Sequence, residues 1–112
     1  MRIQVDVDIQ RALNRMVKYG GRSERGVKQA VAKATLSIES GAKKRAPVDT
    51  GNLRLSIKGD VNGFEGEVTA GAEYAPFVEF GTRHNASQPF MGPAAEEERP
   101  KFNQAIKEAL RE

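Results

Sequence analysis

The chain has no cysteine, no tryptophan and a single histidine, His84, in 112 residues. Without cysteine there are no disulfides and no thiolate metal sites. With one imidazole, a zinc or haem centre lacks ligands, so no metal and no cofactor is expected. No apolar run approaches the roughly 20 residues that a membrane-spanning helix needs. The N-terminus, MRIQVDVDIQ, alternates in polarity instead of forming an apolar signal core, which sets the expectation of a soluble cytosolic protein. No serine sits in a nucleophile elbow and no glycine run matches a phosphate loop. Glu79, Arg83 and His84 are close in sequence and of suitable type for acid–base chemistry. Two of them fall in an unpatterned loop where nothing orients the imidazole, so no catalytic residue is expected.

Charge is unevenly spread. Residues 1–58 hold 13 Lys/Arg against 5 Asp/Glu, a net +8, and residues 59–112 hold 5 against 10, a net −5. The halves either neutralise each other within one fold or set a basic face against the acidic face of a neighbouring copy. Lys43, Lys44 and Arg45, with Lys33, Arg22 and Arg25, could touch phosphates as a small basic nucleic-acid-binding module. No aromatic residue interleaves with that cluster, so stacking on single strands has no support. The length suits one domain spanning 1–112.

Ile3, Val5 and Val7 alternate as a strand. Asp8 is placed to cap an N-terminal amphipathic helix through Ile9, Leu13, Met16 and Val17, which Gly20-Gly21 ends. Ser23 is the expected cap of a long helix over about 24–46. Its buried stripe is Val27, Ala30, Val31, Ala34, Ile38 and Ala42, and Leu36 points the other way as a candidate contact. Pro47 disfavours helix at Ala46, and the Lys43–Arg45 cations suit the carbonyl end of a helix. Pro47, Asp49, Thr50 and Gly51 then form a structural turn that fixes how the helix hands over to the sheet.

Leu53, Leu55 and Ile57 are expected to alternate as a strand, and Asn62-Gly63 to turn a hairpin into Phe64, Gly66, Val68 and Ala70. YAPFVEFGT (74–82) reads as a short helical turn from Pro76, closed by Gly81, with three aromatics anchoring core or interface. RHNASQ (83–88) reads as a mobile surface loop. PFMGPA offers a short strand or extended arm, and a C-terminal amphipathic helix follows from Pro93. In it, Glu96, Glu97 and Glu98 favour the N-terminus, Pro100 kinks or restarts the helix, and Phe102, Ile106, Ala109 and Leu110 form the apolar stripe.

APVDTGNLRLSI, YAPFVEFGT and QPFMGPA, in that order across about residues 3–111, resemble the small tail-component family of long-tailed bacteriophages. That group comprises head–tail joining or tail-completion proteins of siphophage type, related to minor tail protein Z of lambda-like phages. The resemblance implies an α+β fold, with a small, mostly antiparallel sheet packed against one long helix and amphipathic helices at both termini. It implies a structural virion protein of the neck, made by a phage or prophage, present in the host cytoplasm before assembly and in no membrane. Its partners would be other copies of itself in a ring, commonly six-fold, and connector, tail-tube or tail-terminator proteins. Non-specific contact with DNA in the channel would follow. Leu36, Lys43, Lys44, Tyr74, Phe77, Glu79, Arg83, His84, Gln88 and Phe90 are the residues expected at those interfaces. A toxin-like nuclease using His84 and Arg83 is a third, weaker reading.

Overall fold

The structure, a computed structural model, describes residues 1–6, 22–47 and 51–111. The helix expected between Asp8 and Gly20-Gly21, and Val7, Asp49 and Thr50, lie outside the described residues. Strand β1 (Arg2–Asp6) is followed by α1 (Arg22–Arg45), the single turn α2 (Asn52–Leu55), the hairpin β2 (Ile57–Asn62) and β3 (Glu65–Ala70), α3 (Ala75–Phe80) and α4 (Met91–Arg111). The fold is α+β. Among the described residues the sheet has the order β1-β3-β2, with both pairs antiparallel.

Helix α1 buries the stripe read from its spacing: Val27, Ala30, Val31, Ala34, Ile38 and Ala42 are all covered. It stops at Arg45, one residue before the position that Pro47 restricts. It starts at Arg22, two residues ahead of the expected start. At its far end Arg54 Nε donates to the Lys43 carbonyl at 3.0 Å, tying α2 to the last turn of α1.

A Cβ built on Gly26 would lie 2.9 Å from Ala109 Cβ, and one on Gly41 would lie 3.3 Å from Ala94 Cβ. Residue 26 thus meets 109 while 41 meets 94, so α1 and α4 run antiparallel. Small residues at both ends let their backbones approach closely. The C-terminal helix expected from Pro93 begins at Met91 and, at 21 residues, is nearly as long as the 24-residue α1. Against them pack Val5, Leu53, Ile57, Val68, Ala70, Ala75 and Phe90, with Met91 of α4 in the same core. Phe90 is the largest fully buried side chain, and covering a residue of that kind is worth about 1.5–3 kcal/mol.

The stretch 53–57 departs from its expected strand. Gly51 takes the left-handed φ of 77° and starts a helical turn, with Leu55 N bonded to Gly51 O and Ser56 N to Asn52 O, each at 3.0 Å. Leu53 is buried while Leu55 is 75% exposed, so the two leucines do not share a face of a strand. Asn, Leu and Arg carry no β-branch, and strand pairing begins only at the β-branched Ile57.

The hairpin falls where Asn62-Gly63 indicates, with Gly63 and Phe64 as its two loop residues. Positive φ at Gly63 alone (63°) is the pattern of a type II′ turn, which suits the twist of paired strands. No strand forms from PFMGPA among the described residues: Phe90 is irregular and Met91 already begins α4. Pro100 sits inside an unbroken α4. It is exposed, so water can serve the Glu96 carbonyl that it leaves without a donor.

Candidate assembly surface

Helix α3 is only six residues long and owes its rigidity to what surrounds it. Ala75, at its start, is fully buried. Gly81 ends it at φ 79°, where a Cβ would lie 2.8 Å from Ser87 N and 3.1 Å from Asn85 O. Gln88 N donates to the Val78 carbonyl at 2.8 Å, and Thr82 N to the Asn85 carbonyl at 2.9 Å. Thr82 Oγ1 accepts from the backbone N–H groups of His84 and Asn85. The 82–88 segment is exposed throughout and is closed on itself by these bonds.

Glu79 faces inward. Its Oε1 accepts from Phe90 N at 3.0 Å and Met91 N at 2.9 Å, and its Oε2 accepts from Gly92 N at 3.0 Å. The carboxylate is buried at the start of α4, where unpaired backbone N–H groups and the helix dipole both favour a negative charge. Glu96, Glu97 and Glu98 were expected to supply that charge, but they lie beyond the first turn because α4 begins at Met91. With both oxygens engaged, Glu79 is not free to act as an acid–base partner for His84.

Outward, α3 presents aromatic rings. Tyr74, Phe77 and Phe80 follow at three-residue steps along one side, 42%, 61% and 75% exposed. Leu55 stands at the same end of the sheet, since Gly71 N bonds to the Ser56 carbonyl just before α3. Scattered single hydrophobics on a surface are ordinary, whereas a row of aromatics on a braced helix is the composition of an interface.

Of the ten expected contact residues, Tyr74 and Phe77 lie on this ridge, and Arg83, His84 and Gln88 are exposed in the loop that follows it. Leu36 and Lys44 are exposed on α1, and Lys43 is paired with Glu39 at 2.9 Å. Glu79 and Phe90 are the two that the structure turns inward; they brace the scaffold and offer no surface. Sequence reasoning missed Leu55, which it assigned to a strand, and it read Phe80 as an anchor of core or interface without placing it among the ten contact residues. Among the described residues no group of His, Cys, Asp or Glu could hold a metal ion, and no helix is long and apolar enough to cross a membrane.

A family model described as "Bacteriophage HK97-gp10, putative tail-component" matches residues 8–81. The match takes in the whole APVDTGNLRLSI block (46–57) and most of the aromatic block; Gln88, Pro89, Phe90 and Pro93 lie beyond it. No curated protein and no solved structure matches significantly. By class, then, this is a bacteriophage tail component, a structural protein of the virion. The chain belongs to the HK97-gp10-like family.

Proposed function

We infer that the protein acts at the neck, joining or completing the tail as a ring of copies around the DNA channel, and that it performs no catalysis. The observation that carries this reading is the braced aromatic ridge. Tyr74, Phe77 and Phe80 are held on a helix fixed by a buried carboxylate, a left-handed glycine and a closed loop. A rigid apolar ridge loses little freedom on docking, which is what a repeated subunit contact requires. A ring closes only if each copy meets the next at a set angle, so rigidity at the contact matters more than affinity. Arg83 and His84, exposed beside the ridge, would extend the contact at its rim.

The alternative, a basic nucleic-acid module, is less well supported. Within the cationic cluster Lys43 is paired with Glu39 and Arg45 with Glu97, and neighbouring Lys28 is paired with Glu24, which lowers the positive field along α1. Contact with DNA in the channel would then be non-specific and weak. The ridge is tested by the double substitution Phe77→Ser with Phe80→Ser in the phage or prophage. Both positions are exposed, so the melting temperature should stay close to that of the unaltered protein while joined particles fall sharply. Normal yields of joined particles from this variant would refute the ridge as the assembly contact.

A further inference from the structure

The outer edge of β2 has no partner strand among the described residues. Its central residues are Lys58, Gly59 and Asp60, and the two charged ones are exposed with no ion pair among the described residues. A lone lysine on an edge keeps other strands away. A lysine and an aspartate placed symmetrically about a glycine do the opposite for an antiparallel copy of the same strand. Paired about Gly59, two β2 strands set Lys58 against the neighbour's Asp60 twice, and Ile57 against the neighbour's Val61 twice.

The rest of the open sheet face extends this complementarity. Lys58 lies in register with Thr69, and Thr69 with Arg2, which makes a cationic row across the sheet. Asp60 lies in register with Glu67, and Glu67 with Gln4, which makes an acidic row. Within one chain Asp60 and Glu67 are like charges directly opposite each other, an unfavourable pairing. Arg2 already pairs with Glu67 within the chain at 3.5 Å, so what the two-fold pairing adds is the contact between the inner ends of the rows, Lys58 of each copy against Asp60 of the other.

Helix α1 supplies a second, independent surface at the same edge. Its Thr35 and Glu39 lie over Gly59 and its Thr35 over Gly66, so it sits above β2 and β3. Gly26 and Gly41 face α4 on its other flank. Leu36, roughly 100° round the helix from Thr35, therefore overhangs the β2 side and is 61% exposed. Ala32 of α1 and Val61 of β2 line one surface groove there. Extending the sheet through β2 would set the two α1 helices antiparallel at roughly 10 Å, a normal packing distance. Leu36 would then meet its own copy between the small residues Ala32 and Ser40.

We propose that the free protein is a two-fold dimer formed through the β2 edge, with the two Lys58–Asp60 cross pairs and the paired Leu36 side chains at its centre. An isologous contact of this kind closes at two copies, so it is distinct from the ridge contact and does not depend on the neck-ring reading.

The test is charge exchange, read by sedimentation equilibrium with circular dichroism as the folding control. The unaltered protein should sediment at twice 12.3 kDa. Asp60→Lys and Lys58→Asp should each raise the dimer Kd by about 100-fold, since like charges then face each other at the axis. The double exchange Lys58→Asp with Asp60→Lys restores complementarity and should restore the dimer. An equimolar mixture of the two single variants should give a heterodimer. A monomeric unaltered protein at high concentration, single variants that dimerise normally, or a double exchange that stays monomeric would each overturn the proposal.

Discussion

Replacing Gly66 by alanine should destabilise the protein by about 3 kcal/mol, lowering the melting temperature by roughly 10–20 °C. A Cβ at this position would lie 1.9 Å from Thr35 Oγ1 and 3.1 Å from Thr35 Cβ. Thr35 is fully buried, and its hydroxyl donates to the Val31 carbonyl at 2.8 Å. Rotating the hydroxyl away breaks that bond and still leaves Cβ against Cβ. The helix must therefore lift from the central strand or the threonine must give up its partner. Thr35→Ala removes the nearest clashing atom, so Gly66→Ala with Thr35→Ala should cost less than the sum of the two single changes. Thermal denaturation of the four proteins checks this. A Gly66→Ala effect below about 0.5 kcal/mol, the size of an ordinary surface change, would mean that α1 does not lie on β3 as described.

Glu79→Ala should have an effect of similar size by another route. Phe90 and Met91 are fully buried, and their backbone N–H groups would lose the Glu79 carboxylate as acceptor. Losing charged hydrogen bonds to buried donors and a helix cap together costs about 3 kcal/mol. Glu79→Gln keeps one carbonyl oxygen, which can still accept from Phe90 and Met91, so it should cost about half as much. Hydrogen exchange gives the specific readout: the amides of residues 90–92 should lose protection ahead of those in α1. Uniform loss along the chain would show that Glu79 contributes general stability and is not the cap of α4.

These two residues also mark what the sequence disclosed and what it withheld. Periodicity was enough for α1, because its buried stripe repeats over about four turns and the helix ends at a proline-restricted position. The hairpin was legible from Asn62-Gly63. An isolated glycine within a strand, as at Gly66, signals a close backbone approach, although it does not name Thr35 as the neighbour. Glu79 gave no comparable signal. Its partners are 11 to 13 residues away, and an acidic residue between two aromatics reads equally well as solvent-facing. The 53–57 stretch failed for a different reason: two leucines at alternate positions fit one strand step as well as half a helical turn, and Gly51 decides between them. The candidate surface was half legible. The aromatic density of 74–80 marked it, but which rings face outward depended on the inward turn of Glu79.

Exposed aromatic side chains lie at one end of the fold and a strand edge carrying Lys58 and Asp60 lies along its side. On the readings proposed above, both would bind other protein chains. The most direct measurement is electron microscopy of particles from a phage or prophage with this gene deleted, with and without the protein supplied from a plasmid. The account predicts separate capsids and unfinished or unattached tails in its absence, and joined particles when it is restored. Complete, infectious virions without it would contradict the account.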